Sequence, residues 1–194
     1  MTLLPRQIPL LAAAAAGLCW AGVTALLQYG NLQAERDLLA PQRLILYGLV
    51  LLAGLLTFMP IERRLGLTGL TIQGVSGGAL LIYTLAFVPA PSEWLLYLPD
   101  LPVYCLLFIS LFWVVSALSL PFIMVLSRRI YAQRALAGDL RRVRRQSYEL
   151  GLLAATIMAL AGLRVLTWVS LLLLGLIIVI AELLFLSQVR AETG

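Results

Sequence analysis

The 194-residue chain has no histidine and no lysine, and only two cysteines, Cys19 and Cys105. Without imidazole, haem, histidine-bound chlorophyll and histidine-based metal centres lose their usual ligand, and so do most general-base mechanisms. Two cysteines in separate apolar segments give no disulfide framework and no cysteine-rich metal site, and they read as buried, inert thiols. Loops rich in Asp, Asn and Gly, which phosphate and divalent-cation chemistry uses, are missing as well. No cofactor is expected; a bound lipid is. Charge is also scarce: 12% of residues are charged against 62% hydrophobic, and the mean hydropathy is +0.99. That balance excludes an ordinary water-soluble domain.

What the chain does have is long apolar runs. An α-helix needs about 20 mainly apolar residues to cross ~30 Å of hydrocarbon, whereas a β-barrel would show short alternating segments. The expected fold class is therefore all-α, a polytopic integral membrane bundle in one domain covering residues 1–194. Six spans are read at about 8–28, 44–60, 67–89, 103–126, 147–163 and 165–187. The fifth is the least certain. Residues 150 to 186 are interrupted only by Gly162 and Arg164, which is too long for one crossing at 1.5 Å per residue, so a tight hairpin is expected near "AGLRVLTW". Arg6 ahead of the first apolar run resembles a signal peptide, but the length of that run favours a retained helix.

Orientation follows from arginine, because positive residues near span ends stay preferentially on the cytoplasmic side. With the N-terminus inside, Arg6, Arg63, Arg64, the seven arginines from Arg128 to Arg145, and Arg190 fall on one side. Arg36, Arg43 and Arg164 fall on the other. Both termini are expected in the cytoplasm, in a prokaryotic inner membrane. The segment at 127–149 is expected to form a basic cytosolic helical hairpin broken at Gly138 and Asp139. Its arginines Arg128, Arg129, Arg134, Arg141, Arg142, Arg144 and Arg145 suit anionic headgroups or a docking partner; nucleic acid is not expected, because few aromatic residues are interleaved. On the outer side, "PAPSEWLLYLPDLP" at 89–102 reads as a short helix lying at headgroup level, with Ser92 as its cap.

Several polar residues lie inside apolar runs. Glu182 in "IIVIAELLFL" is costly at membrane depth. Its first reading is a structural ion pair with Arg128 or Arg129, or an interface contact; proton or substrate handling and contact with another subunit remain open. "GVSGGA" at 74–79 resembles the Gly-x-Ser-Gly motif of rhomboid intramembrane proteases, but the histidine base those enzymes use is absent, so Ser76 lacks its activator. Gly74 and Gly78 then read as a close-packing pair, and Ala13, Gly17, Ala21 and Ala25 as a small-residue stripe favouring helix association. Six helices, cytoplasmic termini and this stripe are similar in topology to the substrate-binding subunits of energy-coupling-factor vitamin transporters, with no ligand-binding residue to carry over.

The sparse polar lining favours a non-catalytic integral subunit of a larger membrane assembly, with other integral subunits and anionic lipids as partners. A small-solute transport component is the alternative, with Glu182, Gln73, Tyr83 and Ser116 as its site. An intramembrane enzyme ranks third.

Overall fold

A computed structural model describes residues 8–30, 32, 40–91, 93, 95–130 and 140–192, with side chains at all of these except 8, 9, 130, 182 and 185–192. The described residues are helical and contain no strand. Six helices follow in order: α1 (Ile8–Tyr29), α2 (Pro41–Leu65), α3 (Leu70–Phe87), α4 (Leu101–Ile130), α5 (Leu140–Gly162) and α6 (Trp168–Glu192). Each contains or overlaps one apolar run of the sequence, although α2, α4 and α5 are several residues longer than the expected spans and α3 is shorter. By length and composition α1, α2, α3 and α4 can each cross a membrane. In α5 the first half carries Arg141, Arg142, Arg144, Arg145 and Glu149, which leaves a short apolar remainder. In α6 the apolar stretch runs Trp168–Ala181.

The helices pack as a series. α1 lies on α2, α2 on α3, α3 on α4, and α4 on α5 in the most extensive pairing; α6 touches chiefly α5, and that only slightly. One apolar cluster joins α2, α3, α4 and α5 through Phe58, Leu70, Leu120, Met124 and Val143. A second joins α1, α2 and α3 through Val23, Leu46, Val50 and Ala86. Without a hydrophobic force between helices in lipid, close approach and hydrogen bonds have to hold such pairs together. Two positions supply the approach. A Cβ on Gly77 would lie 2.9 Å from Trp113 Cβ, and one on Gly151 would overlap Ser116 Oγ and press on the Phe112 carbonyl. Around Gly151 the α4–α5 seam is lined by serines: Ser119 Oγ donates to the Ser116 carbonyl at 3.1 Å and Ser147 Oγ to the Arg144 carbonyl at 2.7 Å.

The turns explain where the helices stop. Gly66 ends α2 in the left-handed region at φ 71°, with the N–H groups of Gly66 and Leu67 both donating to the Glu62 carbonyl. Arg164 ends α5 in the same conformation, at φ 58°. Its N–H donates to the Ala161 carbonyl and that of Val165 to the Leu160 carbonyl, which is the Schellman pattern with arginine where glycine usually sits. Thr167 then caps α6, accepting from Ser170 N–H at 3.1 Å. The break expected near Gly162 and Arg164 is therefore a real turn over residues 163–167.

One expectation is corrected. The described residues between 88 and 100 form no helix; they run as turns. Pro89, Pro91 and Pro99 lack the N–H a helix would use, and Asp100 competes for the backbone, accepting from Glu93 N–H at 2.8 Å. Tyr104 donates to the Glu93 carbonyl at 2.9 Å, and Leu95 N–H to the Gly162 carbonyl at 3.2 Å, which fastens this loop to the end of α5. Ser92 and Trp94 lie outside the described residues.

Candidate functional site

The polar features gather at one end of the array, where the α2–α3 turn meets the end of α4 and the start of α5. Glycine at 69 gives α3 no capping side chain. Glu62, from the last turn of α2, takes that role across the turn: its carboxylate accepts from Gly69 N–H at 2.9 Å and from Thr71 N–H at 2.6 Å. A negative group on a helix N-terminus satisfies donors that the helix cannot, and its charge opposes the positive end of the helix dipole. The turn's own carbonyls are held from outside. Arg128 donates to the Leu65 carbonyl at 3.3 Å, and Arg144 donates to the Thr68 carbonyl and, at 3.2 Å, to Thr68 Oγ1. Two residues expected to meet lipid or a partner thus also bind the protein's own turn.

Beside this clamp, α3, α4 and α5 leave a groove of about 490 Å³ lined by Thr68, Gln73, Ser76, Trp113, Arg144 and Tyr148, among others. Gln73 Nε2 is buried there with no hydrogen-bond partner. Ser76 Oγ donates to the carbonyl of Ile72 at 2.6 Å and sits 3.3 Å from that of Gln73, both on its own helix. The groove offers donors and an apolar floor, so it can bind; it presents no paired acid and base.

The remaining sequence candidates are placed as follows. Tyr83 lines a different, apolar groove between α2 and α3 with Tyr47 and Phe87. Ser116 is fully buried at the α4–α5 seam, its Oγ without a partner. Gln73, Tyr83 and Ser116 therefore do not converge on one cavity. Glu182 belongs to α6, with its side chain outside the described ones; Arg134, Gly138 and Asp139 lie outside the described residues. Arg129 is exposed at the end of α4, while Arg141, Arg142 and Arg145 lie along the first turns of α5, with Arg145 Nε 3.2 Å from Glu149. Gly74 packs against Phe58, whose ring a Cβ would overlap, whereas Gly78 only faces Trp20 at 3.8 Å; Gly77, its neighbour, makes the tight approach. Ala13, Gly17, Ala21 and Ala25 are all exposed, because α1 turns Ala16, Trp20 and Val23 towards α2 instead.

Three features of the structure go beyond the sequence expectations. Glu62 stands four residues before Gly66, the spacing of a helix end, which is the only signal of its role. Ser147 and Gly151 share the small-xxx-small spacing also present in α1 and α3. Arg43 is buried, donating to the Leu32 carbonyl at 3.1 Å with its guanidinium 4.5 Å from the centre of the Phe87 ring; no local pattern announces it. Among the described residues no group of three His, Cys, Asp or Glu side chains could hold a metal ion.

Fold and site together define a class, an all-helical integral membrane protein with a clamped, arginine-rich end. No known protein family, curated protein or solved structure matches this chain.

Proposed function

We propose that the protein is a non-catalytic subunit of a larger membrane assembly, crossing the bilayer six times with both termini in the cytoplasm. The observation that carries this reading is α6. Over Trp168–Ala181 it is apolar, with Leu172, Leu173, Leu176, Ile177, Val179 and Ile180 all exposed, and among the described residues it touches chiefly α5, and that only slightly. In lipid, packing and interhelical hydrogen bonds are what hold a span against its bundle, and the described contacts of α6 with the other helices are few. It is a helix presented outward for another protein to pack on. The exposed Ala21 and Ala25 of α1 supply a second small-residue edge of the same kind.

Charge placement supports the orientation. Arg63, Arg64, Arg128, Arg129, Arg141, Arg142, Arg144 and Arg145 sit at the clamped end. Arg43 and Arg164 sit at the other, with Glu93 and Asp100. That asymmetry is what the positive-inside rule expects of a cytoplasmic face. Single cysteines placed at Arg164 and at Arg63, with Cys19 and Cys105 replaced by serine, should label from opposite sides of the membrane.

The function itself is tested by solubilising native membranes in mild detergent and purifying the tagged protein. The expected product is an assembly well above the 21.2 kDa of the single chain, with other integral membrane proteins in fixed proportion. A lone, monodisperse monomer overturns the reading.

A further inference from the structure

We propose that a second groove, between α1 and α2, seats an acyl chain of an anionic phospholipid whose phosphate is held by Arg63 and Arg64. The groove measures about 980 Å³, at the upper end of what ligand sites enclose. Its floor on α1 is made of small residues, including Ala13 and Gly17, and its α2 wall includes Leu56 and Ile61. A Cβ on Gly17 would meet nothing within 4 Å, so the slot is open beside it. At the deep end Trp20 closes it, donating from Nε1 to Thr57 Oγ1 at 3.1 Å.

Its length fits one leaflet. From Ala12 to Trp20 on α1, and from Leu56 to Arg64 on α2, the groove spans eight residue steps on each helix. That is about 12 Å at 1.5 Å per step, against ~15 Å for half the hydrocarbon core. Its charge fits a phosphate. Arg63 and Arg64 stand at the mouth, both exposed, and neither has a hydrogen bond or ion pair among the described residues. Arg128 and Arg144, by contrast, are engaged with the α2–α3 turn. A pair of uncommitted guanidiniums above an apolar slot of leaflet depth matches a molecule with an anionic head and a long tail. The proposal rests on the membrane placement of the chain and is independent of the subunit role.

The test uses the full chain, purified and reconstituted in bilayer discs containing equal phosphatidylglycerol and phosphatidylcholine, then released for native mass spectrometry. The wild-type protein is expected to retain one phosphatidylglycerol in preference to phosphatidylcholine. The Arg63→Gln/Arg64→Gln variant should lose that preference by on the order of thirtyfold, from about fivefold for each headgroup-level arginine. Arg141→Gln/Arg142→Gln, which removes equal charge at the same end, should keep it. Gly17→Leu fills the slot beneath intact arginines and should abolish retention of either lipid. Absence of a phosphatidylglycerol preference in the wild type overturns the proposal. So does equal loss in the two arginine variants, which means diffuse charge attraction, or undiminished retention by Gly17→Leu, which removes the slot from the account. A protein that assembles with its partners but retains no lipid sinks this inference and leaves the subunit role standing.

Discussion

α4 and α6 are similarly apolar helices, yet the α4–α5 seam and α6 are packed in opposite ways. At the seam, glycine and serine bring two backbones together so closely that Gly151 has no room for a methyl group. On α6, Gly175 has nothing within 4 Å of where its Cβ would lie, and large aliphatic side chains point outward on every side. Hydropathy does not separate α4 from α6. What separates them is residue size at the contact, because in lipid van der Waals fit, not transfer from water, decides which helices adhere.

The largest expected effect comes from forcing that contrast. Gly151→Leu drives α5 away from Ser116 and Phe112 and should cost about 3 kcal/mol of stability by overpacking; Gly175→Leu should change the isolated protein by less than about 0.5 kcal/mol. Thermal unfolding in a single detergent measures both, and similar losses for the two variants would erase the distinction. Next comes the clamped turn. Glu62→Ala strips the acceptor from the N–H groups of Gly69 and Thr71 and should destabilise by about 1–2 kcal/mol, with Glu62→Gln between it and wild type. Hydrogen exchange should place the loss in the first turn of α3. The smallest effect has the opposite sign. Arg164→Gly relieves a left-handed residue that carries a Cβ and should stabilise by about 1 kcal/mol, read as a raised unfolding temperature. Loss of stability there would mean that the Arg164 side chain contributes more than its backbone costs.

Much of the helical layout is legible in the sequence, because an apolar run of about 20 residues between charge clusters has few other outcomes. The turn at residues 163–167 is legible for the same reason: one continuous helix would have been too long. The segment after Val88 is not, since its aromatic and aliphatic residues suggest an interfacial helix while its prolines and Asp100 tie the backbone into turns. Packing faces are legible only in part. A pair such as Gly77 and Gly78 covers two sides of a helix, and nothing in the sequence says which side meets Trp113. The stripe of Ala13 and Gly17 is visible at once, but periodicity alone does not reveal that it faces away from α2 helix packing and into a groove. The polar site is least legible of all: Glu62 and Thr68 of the α2–α3 turn, Arg128 of α4 and Arg144 of α5 come from three separate stretches and meet only because the helices run in series.

The central claim is that α6 is an interface rather than a helix bathed in lipid. A photo-crosslinking amino acid at Leu176 of α6, compared in native membranes with the same group at Phe122 of α4, which is also outward-facing, tests it most directly. The account predicts a discrete protein adduct from position 176 and only lipid adducts from position 122. Lipid adducts alone from both positions would contradict it.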